Sequence, residues 1–125
     1  MNWVGIGSLL MALGVALGAF GAHGLKNRLD AYSMSVYEKA VFYHFINALG
    51  ILVVALLART SALSAGAQTR VCWLLLIGVI LFSGSLYALA ISGIRVLGAI
   101  TPIGGIAFIA GWLVLAYEAL FAKRG

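Results

Sequence analysis

Residues 5–25 read GIGSLLMALGVALGAFGAHGL, a run without a single charged side chain. About 20 apolar residues are enough to cross the hydrocarbon core of a bilayer. The run is also patterned. Gly7, Met11, Gly14, Gly18 and Gly21 follow one another at steps of four, three, four and three. Such steps put them on one face of a helix. Gly14 and Gly18 have the small-xxx-small spacing that membrane helices use to pack closely. In water, glycines inside a helix cost roughly 0.5–1 kcal/mol each relative to alanine. The stripe therefore predicts a membrane helix that lets a neighbour approach backbone to backbone, and so the hub of a tight bundle.

Composition agrees with a membrane setting. Of 125 residues, 64% are hydrophobic and 9% are charged, against about 25% charged in soluble domains. The formal charge of +5 does not imply nucleic acid, because the basic residues sit at the edges of apolar runs, where headgroups meet them. Cys72 has no second cysteine to pair with and reads as a small buried apolar residue. The first run does not read as a cleaved signal peptide. Met1-Asn2-Trp3 has no basic side chain, and the apolar run exceeds a usual signal core.

Four apolar runs predict four membrane helices, near 3–22, 36–57, 71–92 and 102–121, in a single all-α membrane domain over 1–125. Between the first two lies HGLKNRLDAYSMS. Leu25, Leu29, Tyr32 and Val36 recur at helical spacing, with Lys26, Asn27, Arg28 and Asp30 on the other side. This predicts a short amphipathic helix in the headgroup plane. Ser35-Val36-Tyr37-Glu38 has the form of a capping box that would open the second helix. Thr101-Pro102 predicts the start of the fourth, threonine as cap and proline in the first turn.

An even number of crossings puts both termini on one side. Arg59, Arg70, Lys123 and Arg124 lie on that side, and Lys26, Arg28, Lys39 and Arg95 on the other. The count ties, and acids carry little weight in the rule. The basic residues next to helix ends and the clustered tail favour cytoplasmic termini.

Three blocks carry a resemblance: GAFGAHG at 18–24, FSGSLY at 82–87, and ITPIGG at 100–105 followed by AGW at 110–112. In this order they resemble the signature of domain-of-unknown-function family four-two-three, small inner-membrane proteins whose animal relatives are the mitochondrial transmembrane protein two-five-six. The resemblance covers nearly the whole chain. It implies four membrane helices, a bacterial inner membrane, positive charge on the terminal side, and no established activity. One stretch departs from the pattern. Where relatives carry a glutamine after the tyrosine, and then a histidine, this chain has Tyr43-His44 and then Asn47.

The residues with chemical potential are few. His23, where the first helix leaves the membrane, is read as satisfying the last carbonyls of that helix with Gly24 making the turn; the sharper alternative is a proton or metal site. Asn47 falls near mid-bilayer, about eleven residues past the expected helix start, at ~1.5 Å per residue. With His44, Ser83, Ser85 and Tyr87 it forms a candidate polar cluster, either paired between helices or lining a small cavity. Glu38, Arg95 and Glu118 read as interfacial, Glu118 close to Lys123. Gly84, Gly104 and Gly111 join Gly7, Gly14, Gly18 and Gly21 as packing glycines.

No metal set is apparent, nor a nucleophile-base-acid set, a phosphate-binding glycine loop or a cofactor ligand pair. The expectation is a non-enzymatic structural or accessory protein with no cofactor. It would contact the lipid bilayer and pack against itself or a larger membrane complex. An oligomeric small transporter or channel is the alternative, lined by Asn47, Ser83 and Ser85. The small multidrug transporters, similar in size, need an acid deep in the first helix, and none is present here. A third reading is a lipid-binding protein using the basic segment 25–39. The sequence names no small-molecule substrate.

Overall fold

Asn2 opens the first span, its Oδ1 accepting from the Gly5 amide at 2.9 Å, and α1 runs Trp3–His23. The structure is a computed structural model that describes residues 1–122. Lys123, Arg124 and Gly125, counted above on the terminal side, lie outside the described residues. The second span is α2, Ala31–Arg59. The third is α3, Ala65–Gly78, a π-helical turn over Val79–Ser83, and α4, Gly84–Ser92. A 3-10 turn, Arg95–Ala99, leads into the fourth, α5, Thr101–Phe121. All four spans are long and apolar enough to cross a membrane.

The first connection differs from the expectation. No separate amphipathic helix forms there. Leu25 to Leu29 make one turn, the Arg28 and Leu29 amides both reaching the Leu25 carbonyl, at 2.9 and 3.1 Å. Asp30 takes the cap before Ser35 can. Its Oδ1 accepts from the Ser33 amide at 2.7 Å, and that bond holds its carboxyl below the usual range. The capping box is absent, because Ser35 already lies inside the helix and donates to the Tyr32 carbonyl at 2.8 Å. The apolar spacing is real but divided. Leu25 and Val36 are buried together from the turn and from α2, whereas Tyr32 is exposed.

Two other boundaries move. The third span starts at Ala65, with Ser64 Oγ accepting from the Ala67 amide at 3.1 Å. Thr69 stays helical by donating to the Ala65 carbonyl at 3.0 Å. Thr101 does not cap α5; Ile100 holds that position without a side-chain bond, and Pro102 sits in the first turn. The α4 helix ends on Gly93, whose φ of 72° supplies the left-handed turn.

The spans are not equivalent. In its most apolar stretch α2 is 44% buried and the third span 39%, against 17% for α1 and 22% for the fourth. The hub is therefore α2, not α1. The α1 helix packs along α2, and α5 along α3 and the π turn. At the terminal end the core gathers Ile51, Val54, Val71, Cys72, Leu75 and Phe108 around Trp3, which meets Trp73 edge to face at 5.5 Å. At the other end Tyr37, Ala40, Leu86 and Ala90 pack with Leu25.

The glycine stripe works differently from the expectation. Gly7, Gly14 and Gly21 are buried, but large side chains of α2 fill the space they leave. A Cβ at Gly7 would stand 2.9 Å from Leu52, and one at Gly14 3.0 Å from the Phe45 ring; at Gly21 it would meet the Tyr37 ring. Gly18 is only half-buried, in ordinary contact range of Val41 at 3.6 Å. Backbone-to-backbone approach occurs elsewhere. A Cβ at Gly104 would stand 2.8 Å from the backbone carbon of Leu81 in the π turn. Gly111 faces Leu75 at 2.9 Å, and two glycines not singled out in the sequence, Gly50 and Gly78, lie under the rings of Trp112 and Phe108. Gly84 is not a packing glycine, since only its own helix's Val79 carbonyl comes within 4 Å, at 3.9 Å.

Gly104→Ala should accordingly destabilise the fold by ~1–3 kcal/mol, because backbone cannot rotate away as a side chain can. Gly84→Ala should be neutral or stabilise by up to ~1 kcal/mol. Equilibrium unfolding in detergent measures both. Equal effects at the two positions would contradict the packing described.

Candidate functional site

Polar side chains inside a membrane need partners, because no water is at hand to satisfy them. In this chain α2 takes part in most of the bonds that satisfy them. His44 Nε2 lies 2.7 Å from the Leu10 carbonyl oxygen of α1, and its Nδ1 lies 2.8 Å from the Tyr87 hydroxyl of α4. A carbonyl only accepts, so Nε2 carries the proton. In the neutral ring Nδ1 is then the acceptor, and Tyr87 donates to it. One turn of side chains thus ties three spans together. Seven residues earlier, Tyr37 donates its hydroxyl to the Leu17 carbonyl.

The two accepting carbonyls also lie seven apart, and a glycine follows each by four residues: Gly14 after Leu10, Gly21 after Leu17. A side chain at that fourth position would lean over the carbonyl. Without one, the oxygen keeps its helical bond and stays open to a second donor. The glycines of α1 therefore do two things: they admit the α2 side chains and they bare acceptors for them. The third repeat, Gly7 opposite Ile51 and Leu52, is apolar.

The remaining members do not join this pair. Asn47 donates through Nδ2 to the Tyr43 carbonyl at 2.9 Å and accepts from Trp112 Nε1 of α5 at 2.9 Å. Ser83, in the π turn, donates to the Ala40 carbonyl at 2.8 Å. Ser85 lies 3.0 Å from the Phe82 carbonyl and 2.6 Å from the Thr101 hydroxyl. With Ser85 donating to the carbonyl, Thr101 donates to Ser85. The expected single cluster is thus four separate ties, and Asn47, Ser83 and Ser85 are not bonded to one another. The spacing of these residues put them at similar depths but could not say which face of the third span carries which hydroxyl. Among the described residues, no buried side-chain nitrogen or oxygen lacks a partner.

Three members escaped the sequence reading: Tyr37, Thr101 and Trp112. Tyr37 had a signal, its seven-residue step to His44. Trp112 had one in Gly50, beneath its ring, but only the fold relates the two.

The interfacial residues stand apart from these ties. His23 is exposed and makes no side-chain hydrogen bond among the described residues. It caps nothing, because the Gly24 and Leu25 amides both go to the Phe20 carbonyl, at 2.6 and 3.2 Å. Gly24 keeps a right-handed conformation, so the expected glycine turn is not made there. Arg95 is exposed in the 3-10 turn. Glu118 pairs with Arg70 of α3 at 2.7 Å; its expected neighbour Lys123 is outside the described residues. Arg70 is 57% exposed, so the pair is worth at most ~1 kcal/mol. Glu38 is exposed and lines an open groove of about 420 Å³ between α1 and α2, with Lys26, Gly18, Gly21, Tyr37 and Val41. A second groove, of about 340 Å³, lies between α2 and α5 beside Tyr43, Asn47, Phe108 and Trp112.

The outer face of α1 has its own pattern. Ser8, Ala12, Ala16 and Ala19 are all exposed, at steps of four, four and three, on the side turned away from α2. The outer face of α5 is bulky instead, with Ile106, Ile109 and Leu113 exposed.

Four apolar spans, internally satisfied polar groups and short connections define a small multi-span helical membrane protein. The chain belongs to the family described as "Protein of unknown function (DUF423)", which its residues 17–105 match. It is 49% identical over 110 residues to UPF0382 membrane protein SH2409 of Staphylococcus haemolyticus, covering 88% of each chain. To UPF0382 membrane protein YwdK of Bacillus subtilis it is 44% identical over 115 residues, 92% of this chain and 93% of that one. No solved structure matches the chain.

The His44–Tyr87 bond should show as a coupling free energy. In a double-mutant cycle with His44→Leu and Tyr87→Phe, unfolding in detergent should give ~0.5–1.7 kcal/mol, the range for side-chain bonds between membrane helices. Strict additivity would mean that the two groups do not interact.

Proposed function

We propose that the protein is a non-enzymatic accessory subunit, joining a second copy of itself or a larger membrane complex through the outer face of α1. The observation that carries this reading is the exposed stripe Ser8, Ala12, Ala16 and Ala19. Small residues at this spacing let a membrane helix seat closely against another. The least buried span thus keeps one face for α2 and, between the exposed Leu9, Leu13 and Val15, a stripe of small residues for a partner. The bonded state of Asn47, Ser83 and Ser85 weighs for packing over the alternative of an oligomeric transporter, since each already has a partner in its own chain.

Cysteine crosslinking in native membranes tests this. Ala12→Cys and Ala16→Cys should give adducts, either at twice the chain's mass or to a partner identified by mass spectrometry. Ile106→Cys on the outer face of α5 should give none. The reading fails if neither α1 position crosslinks, or if all three do so equally.

We also propose the bacterial cytoplasmic membrane as the location, with both termini in the cytoplasm. The relatives in Staphylococcus and Bacillus are named membrane proteins. Arg59 ends α2 and Arg70 lies in the second turn of α3, both on the terminal side, and the tail adds Lys123 and Arg124. A fluorescent protein fused after Gly125 should glow, and alkaline phosphatase fused there should stay inactive. The reverse pattern would invert the topology.

A further inference from the structure

The groove between α1 and α2 combines a floor of small residues with two opposite charges. Its floor is nearly featureless: Gly18 and Ala22 from α1, with Val41 as the wall, while Gly21 and Tyr37 line it from beneath, both buried. Its lining carries two opposite charges, Lys26 from the connecting turn and Glu38 from α2. They are not bridged to each other, since the ion pair among the described residues is Arg70–Glu118. Neither is used in a cap or a hydrogen bond there. Tyr37 is almost wholly buried and its hydroxyl is spent on the Leu17 carbonyl, so it adds no free donor to the groove.

Depth matters as well as chemistry. The α2 helix has 29 residues, about 44 Å at ~1.5 Å per residue. That exceeds the ~30 Å hydrocarbon core, so its first turns stand among the headgroups. Glu38 is the eighth residue of α2, roughly 10 Å from its start, and Lys26 lies just beyond the end of α1. The two charges therefore sit where headgroups are, while Gly18 and Val41 sit deeper, where acyl chains begin. The volume of about 420 Å³ falls in the range of ligand pockets, ~300–1,000 Å³. It suits a headgroup and the upper part of one chain.

We propose that this groove is a binding site for a zwitterionic phospholipid with a primary ammonium headgroup. Lys26 meets the phosphate, and Glu38 accepts hydrogen bonds from the ammonium. The first stretch of an acyl chain lies on the glycine floor against Val41. A headgroup with a quaternary ammonium satisfies the charges but has no N–H to donate. A purely anionic headgroup meets Lys26 well and Glu38 badly. The order of preference is thus phosphatidylethanolamine, then phosphatidylcholine, then phosphatidylglycerol.

Native mass spectrometry of the delipidated full chain, offered the three lipids with matched acyl chains at equal concentration, reads this order directly. Wild-type protein should retain one phosphatidylethanolamine in preference to the others. Glu38→Gln should lower that retention by roughly two- to fivefold, the scale of one partly exposed charge pair, and bring phosphatidylglycerol level with it. Lys26→Gln should weaken all three. Both residues are exposed, so the variants keep the fold, which circular dichroism and thermal melting check. Gly18→Leu should fill the floor and abolish retention. Equal retention of the three lipids by wild type would leave only unspecific lipid and overturn the proposal. So would a preference for phosphatidylglycerol, which would mark an anionic-lipid surface, or unchanged selectivity in Glu38→Gln and Lys26→Gln.

Discussion

The structure depends on one constraint: polar groups in the hydrocarbon must be bonded inside the chain. The seam between α1 and α2 meets it with backbone carbonyls already engaged in a helix. Each such oxygen has a second lone pair, and Leu10 and Leu17 offer theirs because glycines stand four residues on. Donors seven apart on α2, His44 and Tyr37, reach acceptors seven apart on α1. The antiparallel register is then fixed twice, by side chains entering glycine gaps and by donors meeting bared oxygens. A slip of one residue would lose both together. Bonds of this kind contribute only ~0.6 kcal/mol each on average, so their larger effect is on register.

His44 illustrates how little of this requires a titrating group. The neutral imidazole presents one donor to Leu10 and one acceptor to Tyr87. A glutamine amide, which the resemblance places at this position in relatives, presents the same pair. In donors and acceptors the two residue types are alike, and here His44 joins three spans at one level.

Hydropathy made the four spans legible, because a bilayer imposes a length that no loop imitates. The ends were less legible. Ser35 and Glu38 form a good local capping pattern, yet Asp30 caps five residues earlier and the helix simply runs through them. Thr69 and Arg70 look like loop, yet Ser64 starts a helix beneath them. A cap is a competition between neighbouring candidates, and Asp30 takes the first one. The glycine stripe announced close packing but not its partner. The sequence suggested backbone against backbone and a central α1. The large residues Tyr37, Phe45 and Leu52 on α2 instead make α2 the centre. The polar residues were legible as a set and illegible as pairs, since pairing depends on the rotation of each span.

That rotation is where the π turn enters. Val79–Ser83 reads as ordinary helix in sequence, with no proline and no glycine pair to break it. In the structure the Gly84 amide reaches back five residues to the Val79 carbonyl. One extra residue in a turn rotates everything after it by about 100° relative to an unbroken helix of ~3.6 residues per turn. Ahead of the turn, α3 faces α5 through Leu75 and Gly78. Within and after it, Ser83 and Tyr87 face α2. Leu75 also reaches α2, 3.4 Å from where a Cβ at Gly50 would stand, so the third span touches both neighbours on either side of the turn. The widened turn also brings backbone to the surface where Gly104 of α5 lies against it. Ser85 and Thr101 are bonded one turn further along. The π turn, Gly104 and the Ser85–Thr101 bond are thus one device. The third span widens at the π turn, and the start of α5 is shaped to that place.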